Sequence, residues 1–328
     1  MGLTVKRRLT ALQARATPGS IADLVVARAT KAPEAPALFT VEGTSVDYAA
    51  LAGQIERAGA ELNAAGLGRG DRVALVVENG REHAAAFLSI ASVATCAPLN
   101  PSYRGPEFTF YLSDLGATAL VIDGNLPDSP ARAVARQLGI PVLELATPGE
   151  SGSLFSLEAR VGPRVSCPPP GEHDVALVLH TSGTTSRPKT VPLTHANLCA
   201  SAGNVAASLQ LTPADRSLNV MPLFHIHGLV AGVLASVHAG ASVVCAPGFD
   251  GVRFLDWLVQ LEPTWYTGVP TMHEAALERA QARPDPVQRS RLRLIRSSSA
   301  ALPVPVLEGL EDVFAPGRNH YLRIRSCS

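Results

Sequence analysis

Short apolar segments of strand length and longer amphipathic segments of helix length follow one another along most of this chain. That alternation restricts the fold more than any single residue does. In the first half, strands are expected at 72–77, 97–99, 119–122 and 142–145, and helices at 83–94, 106–115 and 130–138 lie between them. Asp47 is placed to cap a helix over 48–65, with Gly66 beyond its end. A stretch rich in Gly, Ser and Pro over 147–170 reads as a linker or long loop. Beyond it, strands at 175–179, 218–221, 241–245, 265–268 and 292–295 alternate with helices at 195–209, 229–238, 251–261, 270–282 and 303–314. Strand–helix repetition predicts an α/β fold with mainly parallel sheets flanked by helices. Ligands then collect where the carboxyl ends of strands meet loops.

Composition narrows the range of functions. A chain of 328 residues with 28 basic and 28 acidic side chains has no net charge to attract nucleic acid or an anionic membrane. The five cysteines, Cys96, Cys167, Cys199, Cys245 and Cys327, are widely spaced and lack a metal-binding pattern, which suggests a reducing, cytoplasmic setting. Residues 228–247 contain no Asp, Glu, Lys or Arg. Three glycines, two serines and His238 interrupt the run, and a helix, a turn at Gly240 and a buried strand account for it better than a membrane span. Residues 1–20 form a basic extension with no apolar core of the signal-peptide kind.

One loop stands out chemically. Directly after the strand at 175–179, residues 181–191 read Thr-Ser-Gly-Thr-Thr-Ser-Arg-Pro-Lys-Thr-Val. The hydroxyls of Thr181, Ser182, Thr184 and Thr185 can donate to phosphate oxygens, Gly183 lets backbone amides turn inward, and Arg187 and Lys189 supply positive charge. A P-loop is excluded, because Pro188 stands where its second glycine would fall and a short strand follows Lys189. The plain alternative is a Ser/Thr-rich surface turn. Against it stands the scarcity of lysine: the chain has only Lys6, Lys31 and Lys189. A compact cation suits a cluster of phosphates.

Two further segments follow strands in the same way. His225 and His227 share one side of the chain if the strand before them continues, which would set both at its carboxyl edge. A satisfied structural role is the alternative for either, and metal binding lacks an identifiable third ligand. The run Ser297-Ser298-Ser299 follows the strand at 292–295 and reads either as a polar pocket wall or as the cap of the next helix.

These segments together resemble the adenylate-forming acyl-CoA synthetases, whose phosphate loop reads Thr-Ser-Gly-Thr-Thr-Gly-x-Pro-Lys-Gly. Ser186 and Arg187 ahead of Pro188 look most like the oxalate–CoA ligase branch. Ordered blocks at 70–75, 97–103, 221–229, 264–271 and 294–302 agree, and the resemblance runs from 21 to 314. It implies two packed subdomains, one over about 70–200 and one joining 21–69 to 209–314, with residues 315–328 departing from the family's pattern. It also implies that Thr181, Ser182, Gly183, Thr184, Thr185 and Lys189 hold the phosphates of ATP. His225 and His227 would border the acyl pocket, Thr267 and Gly268 would form a wall, and Ser297, Ser298, Ser299 and Ala300 would lie beside the adenylate.

The reaction so implied joins a small carboxylic acid, oxalate above all, to AMP and then to coenzyme A, with Mg²⁺ accompanying ATP. No protein nucleophile and no protein metal site are expected. Past 314, neither the family's Tyr-Gly-x-Thr-Glu segment nor its later lysine is found, so a shortened or frame-shifted ligase is the expectation. A separate polypeptide supplying the lid is a conceivable partner. The other reading is a non-catalytic remnant that binds nucleotide or pyrophosphate.

Overall fold

A computed structural model describes residues 18–147, 154–158, 168–181, 188–314 and 323–327. In chain order the strands begin with β1 (Pro36–Phe39), β2 (Ser45–Asp47), β3 (Arg72–Val76), β4 (Thr95–Pro98), β5 (Ala119–Asp123), β6 (Val142–Ala146) and β7 (Ser156–Glu158). They continue with β8 (Val175–His180), β9 (Thr190–Thr194), β10 (Arg216–Asn219), β11 (Ser242–Cys245), β12 (Trp265–Gly268), β13 (Leu294–Ser298) and β14 (Arg323–Cys327). The helices of the first half are α1 (Ile21–Lys31), α2 (Tyr48–Ala64), α3 (Arg81–Ala91), α4 (Gly105–Leu115), α5 (Pro130–Gln137) and α6 (His195–Ser208). A π-helical segment, His227–Leu234, runs into α7 (Ala235–Ala239), and α8 (Phe254–Gln260), α9 (Pro270–Ala282), α10 (Pro284–Arg289) and α11 (Val304–Phe314) follow.

The strands form two seven-stranded sheets, ordered β7-β6-β5-β3-β4-β8-β9 and β14-β13-β12-β10-β11-β1-β2. Pairing is parallel except at β1/β2, β6/β7 and β8/β9, each of which closes an edge. Strand β3 shows why the apolar run is continuous: Val73 and Leu75 face one core while Ala74 and Val76 face another, so every position after Arg72 is buried. The core on the Val73 side is shared between the sheets. It gathers Leu38, Val243 and Cys245 of one sheet, Leu75, Val121 and Leu177 of the other, and apolar side chains of α1, α2, α3, α6 and the π-helical segment between them. Helices α4 and α5 cover the far face of the first sheet, and α8 to α11 cover the far face of the second. Among the described residues, no helix is long and apolar enough to cross a membrane.

Local signals set most element ends. Asp47 Oδ1 accepts from Ala50 N at 2.7 Å and starts α2, and Thr194 with Asn197 forms a reciprocal cap that starts α6. Gly116 ends α4 in the left-handed region at φ 55°. At the amino ends of β10, β12 and β13 one carboxylate acts as a clamp. Asp215 accepts from Arg293 Nε and Nη2 at 2.7 Å each, from Thr264 Oγ1 at 2.7 Å and from Thr212 N at 2.8 Å. The side chain of Asp215 is only 4% exposed.

Several expectations shift. The stretch read as a linker or long loop contains β7, and its residues 148–153 and 159–167 lie outside the described ones. Helices α1 and α10 and strands β1 and β2 are additional to the sequence reading. Strand β10 starts at Arg216 rather than at 218, because its first amide bonds Thr264 Oγ1 and its pairing with β11 begins there, at Ser242. Strand β13 runs two to three residues later than expected and takes in the first serines, since Arg296 and Ser297 pair with Thr267 and Gly268 of β12. Part of the segment after 314 also pairs: β14 lies parallel to β13 at the edge of the sheet.

Candidate active site

The proposed phosphate loop connects β8 to β9, which pair antiparallel as far as His180 and Thr190. Ser182, Gly183, Thr184 and Thr185, with Ser186 and Arg187, lie outside the described residues; Thr181 and Lys189 do not. They form its neck, with Thr181 N donating to Lys189 O at 2.9 Å and Lys189 N donating to Thr181 Oγ1 at 3.1 Å. Both are exposed, so the hairpin delivers the lysine to its open side. The strands below the neck are anchored to α4. His180 Nε2 lies 3.2 Å from Asp114 Oδ2, Thr190 Oγ1 donates to the same oxygen at 2.8 Å, and the Tyr111 ring meets the His180 ring edge-on at 4.7 Å. Neither Asp114 nor His180 stood out in the sequence. The one available signal was register, since His180 and Thr190 are directly opposed across the hairpin.

The second cluster forms at the carboxyl ends of β12 and β13. Period-two alternation puts Thr267 on the same face as Arg296 and Ser298, and Thr267 and Arg296 are direct register partners. Into this face projects His227, which is 7% exposed. His227 Nε2 lies 2.5 Å from Thr267 Oγ1 and 3.0 Å from Arg296 Nη1. Arg296 Nη1 also donates to Thr267 Oγ1 at 3.1 Å and to Ser298 Oγ at 3.2 Å, and Ser299 Oγ stands 3.4 Å from His227 Nδ1. Burial first, then the Arg296 charge, pushes the His227 imidazole down to about 4, so it is neutral near pH 7.

The π-helical start holds His227 in place. Gly228 packs so closely that a Cβ there would lie 2.4 Å from the Pro222 carbonyl oxygen, and its own carbonyl accepts from Asn219 Nδ2 at 3.3 Å. Ser299 has φ 76°, in the left-handed region that a non-glycine residue rarely takes, which is local strain at the rim of the pocket.

Other sequence-predicted residues are placed differently. His225 and His227 do not share a strand edge, because β10 ends at Asn219 and a turn intervenes. His225 is exposed against the Phe224 ring, while His227 is inside. Ser297 and Gly268 face the opposite side of the sheet from the cluster, and Ser297 Oγ is buried without a hydrogen-bond partner among the described residues. Gly268 faces His273, whose ring would lie 3.2 Å from a Cβ there. Ala300 is exposed just past the strained Ser299. Among the described residues, no group of three His, Cys, Asp or Glu side chains converges, so the metal reading of the histidine pair gains no third ligand.

The two clusters lie on different sheets but at the same kind of edge. Asn79, just beyond the carboxyl end of β3, accepts from Leu223 N at 2.9 Å, tying the edge of the first sheet to the loop that leads into His225 and His227.

Comparison with known proteins agrees with this architecture. The family described as AMP-binding enzyme matches residues 25–321. The oxalate–CoA ligase of Arabidopsis thaliana is 40% identical over 294 residues, which is 87% of this chain and 57% of that protein. The oxalate–CoA ligase of Saccharomyces cerevisiae is 39% identical over 270 residues, 75% of this chain and 49% of that protein. The crystal structure of ATP-bound MatB from Rhodopseudomonas palustris superposes with a TM-score of 0.77 at 26% identity, covering 93% of this chain and 59% of that one. The chain spans about half the length of the curated relatives it matches. With two helix-flanked, mainly parallel sheets and a family match over residues 25–321, the chain belongs to the AMP-binding enzyme family and resembles its oxalate–CoA ligase branch.

Proposed function

We propose that this chain binds ATP and a small dicarboxylic acid, oxalate being the best fit, and serves an acid–CoA ligase that works through an acyl-adenylate. The observation that supports this most is the charge of the His227 cluster. Arg296 is cationic, and the three acceptors it is seen to bond, His227, Thr267 and Ser298, are uncharged. With His227 neutral, the Arg296 guanidinium is the charged group that this wall presents. That matches an acid with one carboxylate to react and a second to be held. A fatty tail would gain little from such a wall, whereas each charge-assisted bond to a carboxylate contributes about 1.5–3 kcal/mol.

In the reaction, an acid oxygen bonds to the α-phosphorus of ATP and the bond to the β-phosphate oxygen breaks, releasing pyrophosphate. Thr181 and Lys189, with Ser182, Gly183, Thr184 and Thr185, would hold the phosphates and neutralise the leaving group. Mg²⁺ arrives with ATP and supplies further neutralisation when bound. Arg296 and Thr267 would orient the acid, and His227 would fix Arg296 from behind. The thiol sulfur of coenzyme A then bonds to the acyl carbon, its proton is lost to solvent, and AMP leaves. The observation of the Arabidopsis and yeast oxalate–CoA ligases at 40% and 39% identity supports the same acid class.

The test is exchange of labelled pyrophosphate into ATP by the 328-residue chain, with and without oxalate. Oxalate-dependent exchange is expected. Folded protein that binds neither ATP nor oxalate would refute the reading.

A further inference from the structure

We propose that Arg296 sets the length of acid the pocket accepts, by closing it off from a groove that runs along α6. The inference rests on the acid-pocket reading above and adds what limits it. Trp265 and Thr267 of β12 share one face with Leu294, Arg296 and Ser298 of β13. On that face, toward the carboxyl ends, lies the His227 cluster. Toward the amino ends, Trp265 and Leu294 pack with Val205 and Leu209 beside α6. Along α6 a groove of about 430 Å³ opens, with Asn197, Ser201, Asn204, Val205, Leu209 and Arg296 in its lining.

Arg296 is the one residue of that lining that also hydrogen-bonds the His227 cluster. The guanidinium therefore stands between that groove and the His227 cluster. Asn197, Ser201, Asn204 and Ser208 recur every three or four residues on one side of α6, so the groove presents amides and hydroxyls with Val205 and Leu209 behind them. Apart from Arg296, no charged side chain among the described residues lines it. An uncharged alkyl chain fits this space, and a second carboxylate does not. With the arginine present, an acid longer than two or three carbons meets a charged wall. Without it, the chain of a medium-length monocarboxylic acid gains a channel.

Binding of oxalate and of octanoate in the presence of ATP, measured by titration calorimetry on the full chain, tests this directly. The expected result for Arg296→Ala is a loss of oxalate affinity and a gain of octanoate affinity, each about tenfold or more. Arg296→Met refills the space without the charge and should lose oxalate without gaining octanoate. Adding Ser201→Trp to Arg296→Ala should block the groove and cancel the gain. If Arg296→Ala does not fold, Arg296→Ser takes its place. A folded small-residue variant that gains no octanoate affinity overturns the gate, as does a wild-type chain that already binds octanoate as well as the variant does. If wild-type chain binds no oxalate but the variant gains octanoate, the gate stands and the oxalate reading falls.

Discussion

Arg296 Nη1 donates to His227 Nε2 across 3.0 Å, and this contact sets the tautomer of an imidazole that burial keeps neutral. A guanidinium has no acceptor, so Nε2 must offer its lone pair and the neutral ring carries its proton on Nδ1. The Thr267 hydroxyl oxygen accepts from Arg296 beside that nitrogen, while His227 Nδ1–H faces Ser299 Oγ. The pocket wall is a chain of oriented groups.

A pH prediction follows with a definite sign. The His227 imidazole is held at about 4 against an ordinary 6.5, so between those values the unfolded chain binds the proton that the folded chain excludes. Stability therefore rises with pH through that window and is lost as pH falls through it, by up to roughly 3 kcal/mol. His83 and His273, also held at about 4 by burial, act in the same direction. Urea titrations of wild type and His227→Gln across this range should give a shallower slope for the variant. Equal slopes would mean that His227 protonates freely in the folded state.

Asp215 offers the strongest test of the fold. Arg293→Met would leave a carboxylate that is 4% exposed without its cation, although Thr264 and Thr212 still donate to it. The expected cost is about 3 kcal/mol, read as a lower urea midpoint, and part of it should return below the carboxylate's own titration. A change under about 0.5 kcal/mol would show that the clamp is dispensable.

Gly228 and Gly232 should respond differently to alanine. A Cβ at Gly228 meets the backbone carbonyl of Pro222 at 2.4 Å, whereas one at Gly232 meets the Asn219 side chain at 2.8 Å, which can shift by giving up its bonds to Gly228 O and Met221 N. Gly228→Ala is expected to lose about 1–3 kcal/mol and to weaken acid binding by displacing His227; Gly232→Ala should lose less. Calorimetric acid titrations and denaturation curves on both variants decide the order.

Asn79→Ala removes the acceptor of the Leu223 amide, whose residue is 1% exposed. An expected loss of about 1–3 kcal/mol should be restored largely by Asn79→Asp, which keeps an oxygen at that place. Hydrogen exchange at the Leu223 amide should quicken in the alanine variant and stay slow in the aspartate one.

How far the sequence could be read varied with the length of each signal. β12 and α9 were legible to the residue: a bulky run, Trp265-Tyr266-Thr267, ends in Gly268-Val269-Pro270, which stops the strand and starts the helix. The strands β1, β2 and β7, at or next to sheet edges, span three or four residues and are too short to show a period. Stopping β13 at Ile295 hid the residue of most interest. Extending the alternation to 298 places Arg296 with Thr267 and sends Ser297 to the other face. The turn after β10 likewise has no periodic signature, and it alone separates His225 from His227. The hydroxyl loop was legible as chemistry, while its anchor through Asp114 depends on a partner some 66 residues away along the chain.

A crystal structure of the chain with oxalate and a non-hydrolysable ATP analogue would test the central claim most directly. The prediction is a carboxylate within hydrogen-bond reach of the Arg296 guanidinium, with the β- and γ-phosphates held at the loop between Thr181 and Lys189. Oxalate bound away from Arg296, or phosphates held by another part of the chain, would contradict it.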